Sequence, residues 1–531
     1  MNKWMKVATE KYNLAILFTI IFAFVLRIFL YLFMKVDINC DEAMIALDAK
    51  SIADSGRDIY GTSLPVYFEA WSWTGQSALP TYLCALFIKM FGSGIRVVRL
   101  PFLLLSLVSI VYFFKLNKLL FNKREAMIAL MLLAICPWHI IQQLIALDCN
   151  MFPHFFIIGL YYFVKGIKEK KNWVVCVSML FLALTLYCYG VSIFFVPVFL
   201  LIAGILGVKK RIINTKTLIL SVIIFSLVAI PIVLFYAVNL LKLNSIYIGP
   251  VSIQRFYYQA RSTDILFFSK NILQQLSDNL LFLFGVMILQ SDYCIWNYTP
   301  WFGTIYYISM IFIVFGIINR KKNTEEKNSM LVIKLWITLS LILGVIIERI
   351  SIYRLNIIWY AMIVLCAIGI EQFIDRFGNK VKVGIQVLYA LVFVAFVIAL
   401  TSTYNENLKD SVVFSGGYSE AFRDVKDKSE VYVSEDTYSS SERMLVFAYY
   451  EIGNDKEYYF DRELMACYES VYQSKDVFSF NDRFTGIEIN EGMILDKDTY
   501  IIGESELEKI DNLSDFEIKE HGAFRVLNRI H

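Results

Sequence analysis

Long apolar runs alternate with short polar breaks through most of the chain. A bilayer crossing by a helix takes about 20 predominantly apolar residues. Runs of that kind lie near 13–34, 96–118, 125–143, 150–165, 173–189, 190–207, 217–238, 301–318, 331–347, 355–374 and 383–402. They predict an α-helical polytopic membrane protein with about eleven transmembrane helices. No small-residue cleavage site follows the first run, so it reads as an anchor and not as a removed signal. Residues 173–207 are read as two spans broken at Tyr189-Gly190, because a single span would separate two strongly basic loops across the bilayer.

Two long segments interrupt the pattern, 36–95 and 239–300. In the first, Ala43, Ile45, Ala46, Leu47, Ala49, Ile52 and Ala53 recur at helical spacing, which predicts a helix on the membrane surface. A second interfacial helix is expected over 79–91. In the other segment, 276–289 reads as a re-entrant or interfacial helix; if it spanned, the sidedness of everything after it would invert. Past residue 402 the pattern shortens to strand-like runs at 430–433, 457–460, 500–502, 516–519 and 524–527, with a helical run at 443–452. That order predicts a small soluble α/β domain over 403–531 behind a membrane domain over 1–402.

Composition sharpens the division. The chain is 58% apolar and 18% charged, with a mean hydropathy of +0.57. This excludes a soluble multi-domain enzyme, a disordered chain and a nucleic-acid binder. From Thr403 onward there are 28 acidic and 14 basic residues, while the preceding part is net basic. Its basic residues cluster before the first predicted span and after each even-numbered one. The preference of Lys and Arg for the cytoplasmic side then places the N-terminus in the cytoplasm and the C-terminal domain outside. The Ile/Lys/Asn-rich usage points to a bacterial plasma membrane.

Acids beside a span are costly without a partner or a task. Asp41 and Glu42 follow span one, and Asp148 lies between spans three and four. All three are predicted at one depth on the outer face, where a carboxylate can take a proton from a hydroxyl. The alternative for Asp41 is a helix cap. Arg349 and Arg354 bracket a short outer turn, and Arg96 and Arg99 begin span two; each suits phosphate contact or headgroup snorkelling. His139 follows Pro137-Trp138 near the outer end of span three, as a hydrogen-bonded core residue or a ligand. The nine cysteines follow no metal or disulfide spacing, although Cys40 and Cys149 each adjoin one of the acids. Arg27 alone stands clearly mid-span.

An ordered set of motifs covers roughly the first 370 residues. Asp41-Glu42 is followed by Tyr60-Gly61, Leu64-Pro65, the run Trp73-Thr74-Gly75-Gln76-Ser77-Ala78-Leu79, Phe91-Gly92, and Arg96 with Arg99-Leu100-Pro101. Then come Pro137-Trp138-His139-Ile140, Ala146-Leu147-Asp148, Leu186-Tyr187-Cys188-Tyr189 and Tyr353-Arg354-Leu355-Asn356. The set resembles the GT-C class of polytopic glycosyltransferases, in particular the protein O-mannosyltransferase and aminoarabinose-transferase group. The resemblance implies a GT-C-like fold, a polyprenyl-phosphate-sugar donor, an outward-facing site and inversion at the sugar carbon. It implies catalytic roles for Asp41, Glu42 and Asp148, and donor-phosphate contacts for Arg354, Arg349 and Arg99. His139, Trp73, Gln76, Tyr189 and Tyr353 are the implied substrate-pocket positions. Gln143 departs from the pattern, since relatives often carry a basic residue there. No metal ligand set is assigned and no cofactor is certain; a divalent cation stays open. The expected partners are the lipid-linked sugar, the bilayer and a glycan, lipid or protein acceptor, with no nucleic acid. A transporter or flippase, a glycan polymerase or ligase, and a sensor with a ligand-binding outer domain are the competing readings.

Overall fold

The basic breaks between the apolar runs find one another in space. In the computed structural model, Tyr12 donates to the carbonyl of Lys123, Lys168 to that of Leu119, Lys210 to Asn328 and Asn122 to Glu371. The segments preceding span one and following spans two, four, six, eight and ten therefore share one face of the helical bundle, here the basic face. The structure describes residues 3–34, 36–70, 74–256, 265–294, 296–299, 301–318, 324–405, 417–434, 479–480 and 484–530.

The helices are α1 (Lys3–Phe33), α2 (Cys40–Ser55), α3 (Ala78–Phe91), α4 (Ile95–Leu120), α5 (Lys123–Ala134), α6 (Pro137–Ile141), α7 (Phe152–Glu169), α8 (Asn172–Leu184), α9 (Ser192–Lys209) and α10 (Thr215–Leu240). They continue with α11 (Ile272–Phe284), α12 (Ser309–Ile318), α13 (Thr324–Ile346), α14 (Ile358–Phe377) and α15 (Asn379–Ala399). Among the described residues, eight helices are long and apolar enough to cross a membrane, and one bent pair makes a ninth. Every run expected to span is helical, but not every one meets that test. The 150–165 run becomes α7, whose last turns carry Lys165, Lys168 and Glu169. The 173–189 run yields a short α8, and the 301–318 run is helical only from Ser309. Conversely, Ile272–Leu289 passes on length and composition, although both of its flanks return to one place, as described below.

The ninth crossing is bent by 52° between α5 and α6. Pro137 has no N–H to continue the α5 ladder, so the last carbonyls of α5 are orphaned inside the bundle, where water cannot serve them. Arg27, fully buried in α1, supplies the donors: its guanidinium bonds Leu133 O and Ala134 O at 3.0 Å and Ala23 O at 3.2 Å. Two close crossings set the rest of the packing. Gly369 of α14 lies so near α12 that a Cβ there would stand 1.8 Å from Phe312 O, and Gly159 of α7 leaves room for Leu182 of α8.

The C-terminal part is a six-stranded sheet in the order β6-β7-β5-β8-β10-β9. Its strands are β5 (Val431–Ser434), β6 (Ser479–Phe480), β7 (Phe484–Ile487), β8 (Thr499–Gly503), β9 (Phe516–His521) and β10 (Phe524–Arg529), after the hairpins β1 (Phe68–Ala70)–β2 (Thr74–Gln76) and β3 (Ile246–Ile248)–β4 (Val251–Ile253). β5 runs parallel to β7 and β8, and β10 pairs antiparallel with β8 and β9. Four of the expected strands are present, and β6 and β7 were not foreseen. The runs at 457–460 and 443–452 lie outside the described residues. A helix, α16 (Tyr418–Asp424), packs on β9 and β10. Gly417, at φ 87°, opens it, and its N–H donates to Asp37 Oδ2 at 3.2 Å. The sheet domain thus sits beside the start of the first long segment, on the face opposite the basic loops.

Candidate active site

The first turn of α2 carries its own lock. Asn39 caps the helix through Asp41 N–H at 2.7 Å, and Glu42 returns the favour by accepting from Asn39 N–H at 3.0 Å. The cap expected of Asp41 is therefore supplied by Asn39, as a reciprocal capping box.

Glu42 is fully buried, and its carboxylate collects donors from three parts of the chain. Arg99 of α4 grips both oxygens at 2.7 Å, and Ala146 N–H donates at 2.6 Å. Arg99 also donates to the carbonyls of Val36 and Asp37, each at 2.9 Å. Sequence reasoning placed Glu42 among the catalytic acids and Arg99 on the donor phosphate. The structure pairs them with each other, as a joint between α2, α4 and the 142–150 segment. Arg349 departs further: its side chain is mostly exposed and sits 3.8 Å from Glu348.

Asp41, through its main-chain carbonyl, and Asp148, through its carboxylate, both meet one dipeptide. Gln76 Nε2 donates to Asp41 O at 3.3 Å, and Ser77 N–H to Asp148 Oδ2 at 3.4 Å. Asp148 also accepts from Cys149 N–H at 2.7 Å. Burial pushes the Cys149 thiol up, and the nearby charges of Asp148 and Asp41 add to that. Arg354 faces the same region. Its Nη1 donates to Glu348 O at 3.0 Å and its cation lies 5.9 Å from the centre of the Tyr353 ring. Tyr189 lies near enough to feel both Arg354 and Asp148. Cys294 likewise lies in reach of both Arg354 and Asp41. Two acids, a guanidinium and the Tyr189 and Tyr353 phenols thus converge opposite the basic face. Cys40 and Cys149 are not joined to each other by a disulfide, and Trp73 lies outside the described residues.

His139 points elsewhere. Its Nδ1 accepts from Arg27 Nη2 at 2.9 Å, and its Nε2 lies 3.0 Å from Ser109 and 3.1 Å from Tyr360. It belongs to the polar network behind the α5–α6 break, not to the acid cluster. Gln143 is buried in that same network, against Ser106 and Arg27 O.

Several supporting residues were given no role from sequence, Asn356 among them although it closes the Tyr353–Asn356 motif. Asn356 is nearly fully buried and bonds Trp138, Gln142, Cys149 O and Asn150, clamping the loop that carries Asp148. A buried amide in an apolar run was the available signal, since such groups must find partners. Tyr67 stacks on Phe235 at 4.7 Å, and its hydroxyl and that of Tyr236 approach Gly190 beside the cluster. Farther along the first segment, Asp48, Asp58 and Glu69 are buried together, and burial, with Asp58 and Glu69 adding, pushes Asp48 well up. Among the described residues no group of three or more His, Cys, Asp or Glu is arranged to hold a metal ion.

The helices and this cluster define a polytopic membrane protein whose candidate site residues gather at one face. Residues 76–236 match the family described as dolichyl-phosphate-mannose-protein mannosyltransferase. No curated protein matches the sequence. Along 98% of its length the chain superposes on 98% of ArnT from Cupriavidus metallidurans bound to undecaprenyl phosphate, with 12% identity and a TM-score of 0.54. It is also similar to the oligosaccharyltransferase of Archaeoglobus fulgidus tethered to an acceptor peptide, with 14% identity, a TM-score of 0.50, and coverage of 91% of this chain and 61% of that one.

Proposed function

We propose that the protein is a membrane glycosyltransferase that moves a sugar from a polyprenyl-phosphate donor to an extracytoplasmic glycan, lipid or protein acceptor. The observation that supports this is that the Asp148 carboxylate and the Asp41 main chain meet at Gln76-Ser77, with the charges of Asp41 and Asp148 both felt at Cys149 and those of Asp41 and Arg354 both felt at Cys294. A lipid-linked sugar keeps its tail in the bilayer, so its sugar–phosphate bond lies at the headgroup plane. ArnT from Cupriavidus metallidurans, whose fold this chain shares, has a structure bound to undecaprenyl phosphate. The basic face lies in the cytoplasm and the acid cluster outside, by the preference of Lys and Arg for the inner side.

The chemistry is a single displacement. Asp41 takes the proton of an acceptor hydroxyl. The acceptor oxygen attacks the anomeric carbon, and the carbon–oxygen bond to phosphate breaks with its electron pair on the leaving polyprenyl phosphate. Arg354 meets the charge that develops there, the kind of interaction that is usually the largest catalytic term. Asp148 orients the acceptor, with Tyr189, Tyr353 and Gln76 lining the pocket. Glu42 and Arg99 position Asp41 without touching substrate. Residues 1–402 form the catalytic unit, and 403–531 supply a docked outer domain that meets the acceptor. In a bacterium the membrane is the plasma membrane.

The test is transfer in purified membranes from a defined polyprenyl-phosphate sugar. Asp41→Asn should lower kcat about a hundredfold or more, the range of a lost general base, while donor binding persists. Near-normal transfer by this variant would remove Asp41 from the role.

A further inference from the structure

The segment around α11 is apolar enough to cross a bilayer, yet its contacts do not follow a crossing. Ile265, before it, bridges to Ile347. Within the helix, Asn279 donates to Val345 O at 2.8 Å, and Gly344 packs against Leu283. Beyond it, Asp292 Oδ2 accepts from Ile352 N–H at 2.7 Å. The helix and its following π-turn cover 18 residues, about 27 Å at the α-helical rise. The positions met on α13 and just beyond, 344 to 347, cover only about 4.5 Å of depth at the same rise. An upright helix would meet α13 at successively deeper turns. Here the named contacts gather at the end of α13, and both flanks of the helix are tied to the turn that follows it, Ile265 to Ile347 and Asp292 to Ile352.

The side chains divide into three stripes. Gln275, Asn279 and Val286 are buried against the protein. Leu273, Leu280 and Phe284 form an exposed apolar stripe, with Leu273 83% exposed. Gln274 and Asp278, one turn apart, form an exposed polar stripe between them. A helix that spans lipid would be apolar all along its outward arc. One lying in the interface shows water and acyl chains different flanks, as this helix does over its first two turns, where Gln274 and Asp278 are exposed; from Leu280 to Leu289 its outward arc is apolar throughout. The apolar stripe is also continuous with exposed Leu281, Ile288 and Leu289 toward the C-terminal end, where the chain turns back through Gln290 in the left-handed conformation.

We propose that residues 272–289 lie in a single leaflet on the site face, as a monotopic arm whose partner is the acyl-chain layer of that leaflet. The arm ends in a hook. Gln290 Oε1 accepts from Ile305 N–H at 2.8 Å, Asp292 holds Ile352 N–H, and Tyr293 reaches Tyr353. The bilayer surface is thereby tied to the turn that carries Arg354. None of this depends on the reaction assigned to the site.

Single cysteines at Lys270→Cys and Ser291→Cys test the arrangement in sealed membranes with an impermeant maleimide, scored above the labelling of the parent protein. Lys497→Cys reports the site face and Lys170→Cys the basic face. Both test positions should label together with Lys497→Cys and stay protected when Lys170→Cys reacts. Labelling of the two from opposite sides overturns the proposal. Nitroxides along the arm give an independent reading: collisions with a water-soluble nickel complex should rise and fall with the helical period, high at positions 274, 278 and 285 and low at 273, 280 and 284. A profile that instead rises or falls steadily from 272 to 289 means an upright helix and sinks the idea.

Discussion

Replacing Arg99 with Met separates two roles that a cation near a lipid phosphate could play. The Glu42 carboxylate has no exposed surface, and Arg99 gives it two bonds of 2.7 Å. Arg99→Met leaves that charge buried against only Ala146 N–H and Asn39 N–H, and it strips a donor from each of the Val36 and Asp37 carbonyls. Breaking a buried pair in this way costs about 3–5 kcal/mol, because the surviving charge is uncompensated. Adding Glu42→Gln removes the charge and should recover a large part of the loss, so the two substitutions are strongly non-additive. The assay is a melting curve of the detergent-purified protein for both single variants and the double, alongside donor KM in membranes. A large drop in melting midpoint for Arg99→Met, partly rescued in the double variant, is expected. An unchanged midpoint with a raised donor KM would refute the reasoning and return Arg99 to the phosphate.

Other outcomes follow from the same geometry. Asn356→Leu strands the partners on Trp138, Gln142 and Asn150, so it should lose about 1–3 kcal/mol of stability and lower transfer by loosening the Asp148 loop, read by melting and kcat. Gly369→Ala should force α12 from α14 and cost about 1–3 kcal/mol by overpacking, visible as a lower melting midpoint with donor KM unchanged. For Asp48, burial and then Asp58 and Glu69 raise the folded-state value, so the folded chain holds this proton more tightly than the unfolded one. Its contribution is full below the ordinary carboxylate range and is lost as pH rises through the raised value. Asp48→Asn should therefore flatten that decline and be the more stable form at neutral pH, measured as melting midpoint against pH.

The apolar runs made the bundle legible, because a bilayer crossing leaves a periodic and lengthy trace in composition. The helix α2 and the break at Tyr189-Gly190 were readable from the spacing of apolar positions, although the first turns of α2 are largely buried within the protein. What stayed hidden were pairings between distant segments. Nothing local to Glu42 distinguishes an acid that meets a sugar from one that meets Arg99, since the partner lies across the fold. Pro137 marks the α5–α6 bend in the run, but nothing local to His139 shows that the bend turns it to Arg27, 112 residues away in the chain. The helix at 301–318 was shortened by tertiary contacts: Trp138 N–H takes Thr304 O at 2.8 Å, and that bond holds the chain in irregular turns before Ser309.

Asn356 is the last-made piece of the site, and that has a consequence for biosynthesis. The ribosome delivers Asp41, Arg99 and Asp148 early, and the joint at Glu42 can close as soon as α4 and the following loop are in the bilayer. The loop bearing Asp148 then waits for some two hundred further residues before its clamp arrives on α14's leading turn. A nascent chain stalled short of that turn would hold one carboxylate in register and leave the other adrift, so competence comes only near the end of membrane insertion.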